Sequence, residues 1–339
     1  LSGYKGGKKS NVYEEFVRLG ALKGVSSKER KISWSSSAFN AQNFVFLDIP
    51  GRLVIDMLPI VRRDFKFSRY DLGSVSTEIL GQTKDPLTHK GIFKCYRMFT
   101  KQSLSLVGKY CVQDSNVTLL LFHKLKTWIN SCQMSKVCNI PIIDLYTQGQ
   151  QLKIYAQVYK LCLERNVVVE KDGFTCAENE SYTGAIVLDP DPDMYEDVII
   201  LDFASLYPSV MISHNICYST WVTDPNIPDS DCHIFKWHDC IGGPHDTVRR
   251  TTKVKKVICC DRYYRFLKEP KGIIPTLLTN LIKERKATNN ELEGVNTKIK
   301  IEKDIELKMA LEMYSTVLDM KQKALKVSAN SMYGGMGVR

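Results

Sequence analysis

The sequence predicts a multidomain protein of the α/β class, in its α+β form. Three observations lead there. The chain has 339 residues, enough for two or more domains with separate cores. Short apolar runs of strand length, around Phe44 and over Val198–Phe203, alternate with stretches of helical period. The C-terminal quarter carries helical periodicity almost throughout.

The elements follow in order. The first thirty or so residues are basic and mixed, with Gly3, Gly6 and Gly7, and a Ser35-Ser36-Ser37 stretch follows. Phe44-Val-Phe-Leu-Asp-Ile-Pro-Gly51 reads as a strand entering a turn. Arg52 to Val61 takes on a helical period toward Met57, Leu58 and Ile60. From Leu104 to Leu125, Leu106, Tyr110, Val117, Leu120, Leu121 and Leu125 recur at three- and four-residue spacing, which predicts an amphipathic helix. Arg165–Glu170 and Val198–Phe203 read as strands, with a turn at Tyr182–Ala185 and an acidic, Pro-containing connection over Asp189–Asp197. A helix starts after Ser209, and residues 224 to 271 read as irregular. Pro275 opens a helix through Leu277, Leu278, Leu281 and Ile282. Gly294 is expected to break it, and a second charged helix runs from about Val295 to Ala329.

Hydrophobic residues make up 44% and charged residues 25%, ordinary values for a globular protein. The net charge of +10 favours an anionic partner such as nucleic acid or acidic lipid. No apolar run approaches the roughly 18 residues a membrane span needs, so no membrane is expected as a partner. The eleven cysteines show no CxxC spacing, which favours reduced thiols over a disulfide framework. Cys232, His233, His238, Cys240, Cys259 and Cys260 invite a zinc reading, but their spacing matches no structural zinc pattern, so a buried or incidental role is favoured.

Two stretches carry chemistry. In Asp202-Phe-Ala-Ser-Leu-Tyr-Pro-Ser209 a carboxylate ends an apolar run, where a hard cation such as magnesium can bind. Pro208 suits the first turn of a helix, and free amides at a helix N-terminus bind phosphate oxygens. Alone, Asp202 would be read as an acidic helix cap. Lys326-Val-Ser-Ala-Asn-Ser-Met-Tyr-Gly334 overturns that, because Lys326, Asn330 and Tyr333 fall at i, i+4 and i+7 on one helix face. That face offers a cation, an amide and a phenol where a bland helix would carry an apolar stripe, and Gly334 and Gly335 allow close approach. Arg285, one turn after Leu281, could fork onto phosphate oxygens, with Lys286 a weaker second among an otherwise solvated run. Arg249, Arg250, Lys253, Lys255, Lys256, Arg262 and Arg265 could track a duplex backbone or could be solvated surface.

These motifs resemble those of the family B DNA polymerases. Asp202-x-x-Ser205-Leu-Tyr-Pro-Ser209 is similar to the first polymerase motif, and His214-Asn-Ile-Cys-Tyr-Ser-Thr220 continues it as the delta-like branch does. Lys326-x-x-x-Asn330-Ser-x-Tyr333-Gly334 is similar to the second motif. Lys271-Gly-Ile-Ile-Pro275 resembles the start of the fingers helix that carries Arg285. Tyr182-x-Gly184-Ala185 resembles the Tyr-x-Gly-Gly turn between nuclease and polymerase modules. Upstream, Gly51-Arg52, Asp56, the run Arg62–Tyr70 and Tyr110-x-x-x-Asp114 resemble the C-terminal part of the proofreading exonuclease.

The resemblance implies an RNase H-like exonuclease remnant followed by palm strands and a helical-hairpin fingers domain. Its expected boundaries are 1–127 for the exonuclease part, 128–180 for a connecting segment, 181–271 for the palm and 272–339 for the fingers. It implies template-directed DNA synthesis with two Mg2+ ions. Asp202 and the Phe203 carbonyl would hold metal, and Ser205, Leu206 and Tyr207 would cradle the triphosphate. Arg285 and Lys326 would balance charge, and Asn330 would contact the nucleotide. Tyr207 would exclude a 2′-hydroxyl, and Tyr333, Gly334, Tyr182 and Gly184 would contact DNA. Asp114, as a metal ligand, and Tyr110 would serve the nuclease. Implied partners are primer-template DNA, deoxynucleoside triphosphates and a sliding clamp or processivity factor. The implied setting is intracellular, in the nucleus or at a viral replication site in the host cytoplasm.

There are departures. Ala185 replaces the second Gly, and Asn289 stands where the family often has a second Lys or Arg after the fingers Arg. With the Cys-rich segment after Thr220, these tilt the expected source from a eukaryotic replicative enzyme toward a large double-stranded DNA virus. The third polymerase motif and the first two exonuclease motifs do not occur between Leu1 and Arg339, so the chain is expected to be a central piece lacking both complete sites. A nuclease, or a nucleic-acid-binding module, with an inactive polymerase half is the alternative.

Overall fold

The computed structural model describes residues 20–36, 40–82, 87–169, 189–241 and 258–336. Tyr182, Gly184, Ala185 and the basic residues Arg249–Lys256 lie outside the described residues. Packing divides the chain into two units, Leu1–Leu152 with Glu302–Lys321, and Lys153–Ile301 with Gln322–Arg339. Most described residues are helical, and the described strands form two separate antiparallel hairpins.

In the first unit, β1 (Lys28–Ser36) pairs with β2 (Asn40–Asp48), Ile32 opposite Phe44. The strand expected at Phe44 is present and ends in the expected turn. Gly51 takes φ +77°, and a Cβ there would lie 2.9 Å from that of Ala21, so both backbone and space require glycine. The helix expected from Met57 is α1 (Met57–Asp64), capped by Asp56, whose carboxylate accepts from the Leu58 N–H at 2.9 Å. Asp71 caps α2 (Leu72–Leu80), and Thr88 caps α3 (His89–Met98). Thr100 opens α4 (Lys101–Lys124) with reciprocal bonds to Ser103, and this is the long amphipathic helix expected over Leu104–Leu125. Its Val117 and Leu121 join Val61 and Val75 in a buried cluster flanked by Phe65, Phe67 and Tyr70. The Tyr70 hydroxyl donates to the Phe65 carbonyl at 2.9 Å and accepts from the Phe67 N–H at 3.1 Å, which ties that run over the core. Two further helices follow, α5 (Thr127–Cys138) and α6 (Ile142–Thr147).

The second unit takes most of α7 (Gln150–Glu164), then α8 (Leu206–Ser213), β3 (Cys232–Ile241), β4 (Ile258–Leu267) and α9 (Ile273–Ile301). The last helix, α10 (Ile305–Met336), contributes to this unit from Gln322 onward.

Four expectations are corrected here. Val198–Phe203 is not a strand: it has no regular secondary structure, no described segment pairs with it, and Ile199, Ile200 and Leu201 are more than 80% exposed. An apolar run becomes a strand only when a neighbour takes its N–H and C=O groups. Arg165–Val169 is not a strand either. Arg165 and Asn166 close α7, Asn166 at φ 53°, and the Val167 N–H returns to the Cys162 carbonyl at 2.9 Å. Residues 224 to 271, expected to be irregular, contain the β3–β4 hairpin, with Phe235 opposite Tyr264 and Trp237 opposite Arg262. Finally, α9 runs through Gly294, and α10 through Gly334 and Gly335. A helix-interior glycine costs only about 1 kcal/mol, which a 29-residue helix absorbs. The break lies instead at Glu302–Asp304, where Asp304 accepts from the Glu306 N–H at 2.9 Å and starts α10.

Candidate functional site

Asp202 and Phe203 end the exposed apolar run of the second unit. Ser205 then turns the chain in the left-handed region, at φ 55° and ψ 55°, and opens α8 without a side-chain cap. A non-glycine residue held there costs on the order of 1–3 kcal/mol, which the surroundings must repay. Repayment comes from α8, whose Pro208 and Met211 are buried and which packs against α9. The Ser209 N–H bonds the Ser205 carbonyl at 2.9 Å, and its hydroxyl donates to the Ala204 carbonyl at 3.2 Å. The amides of Leu206 and Tyr207 sit in the first turn, where no intrahelical acceptor exists.

The expected face of α10 is present. Lys326, Asn330 and Tyr333 are exposed, whereas Ala324, Leu325, Ser328, Ala329 and Met332 are buried behind them. Two contacts with α7 hold the helix in that rotation. The buried Ser328 hydroxyl donates to Gln157 Oε1 at 2.7 Å, and a Cβ at Gly335 would overlap the Ile154 side chain. Gly334 faces open space. The Tyr218 hydroxyl also donates to the Met336 carbonyl at 3.0 Å, which pins the end of α10.

The two motifs meet at one contact. The rings of Tyr207 and Tyr333 stack with centroids 4.1 Å apart and planes 8° from parallel. Both rings remain nearly half exposed. Through these rings the first turn of α8 touches the face of α10 that carries Lys326, Asn330 and Tyr333.

Arg285 differs from its neighbours. Lys283, Glu284 and Lys286 are exposed on α9, whereas Arg285 lies half-buried on the stripe of Leu278, Leu281 and Thr288. Its Nε is buried and has no hydrogen-bond partner. A guanidinium N–H in that condition is a donor whose acceptor is still to be supplied. Asn289 lies one turn further along the same helix, half-buried.

In the first unit, Tyr110 and Asp114 sit half-buried one turn apart on α4. Among the described residues, no group of three His, Cys, Asp or Glu side chains could hold a metal ion. That applies to the described part of the Cys/His cluster. Cys232 is buried, His233 packs edge-on against His214, and His238 Nδ1 lies 2.7 Å from Asp261. Arg265 drops out of the basic stretch as a phosphate contact. It is 9% exposed and bonds the carbonyls of Ile227 at 2.7 Å and Asp224 at 2.6 Å.

Known proteins give this geometry its context. Residues 140–339 match the family described as DNA polymerase family B. The chain belongs to that family. It is 42% identical over 371 residues to DNA polymerase 120R of Invertebrate iridescent virus 3, covering 97% of this chain and 32% of that protein. It is 35% identical over 322 residues to the DNA polymerase delta catalytic subunit of Plasmodium falciparum (isolate K1 / Thailand), covering 94% of this chain and 26% of the relative. The chain thus spans a quarter to a third of the length of these curated relatives. Its fold is similar to the family B DNA polymerase from the hyperthermophilic archaeon Pyrobaculum calidifontis, with a TM-score of 0.57 and 24% identity over 94% of this chain and 35% of that one.

Within this family B chain, one joint was not singled out from the sequence. Asn215, 3% exposed and at φ 52°, sits between the first motif and the start of α9. Its Nδ2 donates to the carbonyls of Leu267 at 2.8 Å and Pro270 at 3.0 Å, and its Oδ1 accepts from the Gly272 N–H at 2.9 Å. Ser219 and Cys217 receive the next two amides, those of Ile273 and Ile274. The loop after α8 therefore caps the N-terminus of α9 through its side chains. Gly272 is required in this joint, since a Cβ there would lie 2.8 Å from that of Cys217. The His214–Thr220 motif carried the signal, but sequence alone could not assign the partner of a polar side chain.

Proposed function

We propose that the full-length protein carries out template-directed DNA synthesis, adding deoxynucleoside triphosphates to a primer 3′-hydroxyl, with an associated 3′–5′ proofreading exonuclease. Membership of DNA polymerase family B supports this, and the Tyr207–Tyr333 stack is the single observation that carries it. That stack joins the two motifs which would have to act on one nucleotide.

Asp202 and the Phe203 carbonyl form an all-oxygen donor pair of the kind magnesium takes, at an exposed edge beside uncommitted helix amides. They fit as part of a Mg2+ site. When bound, two such ions would supply Lewis-acid stabilisation and activate the attacking hydroxyl. The remaining work falls to the chain's own groups. The amides of Ser205, Leu206 and Tyr207 cradle phosphate oxygens, favoured by the N-terminus of α8. Lys326, and Arg285 through its guanidinium, neutralise the triphosphate as phosphoryl transfer requires. Asn330 contacts the incoming nucleotide. Tyr207 packs under the sugar and leaves no room for a 2′-hydroxyl. Tyr333 and Gly334 lie along the new base pair's minor-groove side, with Tyr182 and Gly184 on the DNA.

Tyr110 and Asp114 serve the exonuclease, Asp114 as a metal ligand and Tyr110 in positioning the attacking water. The proposed division is exonuclease to residue 127, connection to 180, palm to 271 and fingers beyond. Primer-template DNA, deoxynucleotides and a sliding clamp or processivity factor are the proposed partners. The proposed setting is the nucleus or a viral replication site in the host cytoplasm. The test is incorporation on a primed template by the full-length protein. Chelation should stop extension and added Mg2+ should restore it. Extension undiminished in chelator would overturn the reading.

A further inference from the structure

From the Tyr207–Tyr333 stack we infer that Tyr333 is a positioning residue for sugar selection, holding the Tyr207 ring in the plane from which it excludes a ribonucleotide. This rests on the proposed role of Tyr207 as the sugar gate.

The two rings stand on differently built supports. Tyr207 lies at the second position of an eight-residue helix whose preceding run, through Phe203 and Asp202, is exposed and unpaired among the described residues. Its own helix opens on a left-handed Ser205 with no side-chain cap. Tyr333 lies on a 32-residue helix. Five residues before it the buried Ser328–Gln157 bond and two residues after it the Gly335–Ile154 contact fix the helix rotation, and the Tyr218–Met336 bond holds the end. At 4.1 Å and 8°, Tyr333 covers one face of the Tyr207 ring completely enough to leave only the opposite face and the edge for a ligand. The ring on the long helix thus backs the ring that stands next to the exposed run.

A gate discriminates only if it cannot retreat. A ring free to rotate or slide by an ångström would admit the extra hydroxyl, whereas a ring backed by a second ring must push that ring's helix as well. Stacking of this kind needs the aromatic face of Tyr333 and not its hydroxyl. Phenylalanine should therefore substitute, and a side chain with no ring should not.

The experiment measures kcat/KM for a deoxynucleotide and its matching ribonucleotide with the full-length polymerase and four variants: Tyr333→Phe, Tyr333→Leu, Tyr207→Ala and the double variant Tyr207→Ala/Tyr333→Leu. Tyr333→Phe should keep the wild-type ratio whatever happens to turnover. Tyr333→Leu should lower the ratio by roughly three- to tenfold, the range a lost aromatic pair allows. It should do so through faster use of the ribonucleotide. The double variant should discriminate no worse than Tyr207→Ala, because the support has nothing left to hold. Two results overturn the inference. A Tyr333→Leu ratio equal to wild type, with Tyr207→Ala relaxed, removes the positioning role and leaves the gate standing. Equal losses for both nucleotides make Tyr333 a general contact. A Tyr207→Ala variant with unchanged discrimination would instead remove the gate itself.

Discussion

Asn215 is a residue on which two motifs depend. Replacing it with alanine would leave the buried Gly272 N–H without its acceptor, would remove the part-buried bonds to the Leu267 and Pro270 carbonyls, and would put a residue with no local compensation at φ 52°. The orphaned Gly272 N–H alone costs about 1–3 kcal/mol, so Asn215→Ala should destabilise by about 2 kcal/mol or more in urea denaturation. A loss near zero would mean that the joint is held elsewhere. Arg285 makes the opposite case, a polar group without a partner. If it meets the triphosphate, Arg285→Ala should raise the deoxynucleotide KM and lower kcat/KM on the order of a hundredfold. The neighbouring Lys283→Ala should change it little, since that side chain is exposed on the other side of α9. Side-chain roles of this kind were partly legible in the sequence. Spacing set Lys326, Asn330 and Tyr333 on one face, but nothing in it distinguished Arg265, which is tied down internally, from a phosphate-binding arginine.

At the scale of elements, periods of 3.6 were readable wherever the buried stripe was long. α4 was recovered for this reason, α1 was found from its short period, and α10 was found but with its start about ten residues too early. The β3–β4 hairpin was missed because its alternation is aromatic and charged, not apolar and polar. His233, Phe235 and Trp237 share a face with Tyr264 and Phe266, while Lys236 lies over the Tyr263 ring. Glycine misled in the other direction, since Gly294 marks no break. The hairpin also carries a titration. Burial lowers the pKa of His233 below its ordinary value, with the neighbouring His214 and Lys268 adding to the effect. Because the fold prefers the neutral ring, this contribution is present in full above about pH 6.5 and is lost as pH falls through the lowered folded value. Thermal denaturation between pH 7.5 and 5.5 should show a smaller acid-side loss for His233→Gln than for the unmodified protein. Parallel curves would contradict this.

For the whole molecule, membership of DNA polymerase family B was legible because its motifs are long and their residue types chemically specific. The tertiary state of the first motif was not. Val198–Phe203 has the composition of a buried strand, yet no described segment pairs with it. What the chain does show is α8 and α10 joined through two stacked rings, and that face is the proposed nucleotide site. That site depends most on Asp202, the carboxylate proposed to hold metal beside the free amides. Asp202→Asn removes the charge at nearly constant shape. In the full-length polymerase, single-turnover incorporation should fall to background while primer-template affinity stays within about twofold, since phosphate contacts elsewhere carry that affinity. Incorporation at the unmodified rate by Asp202→Asn would contradict the account.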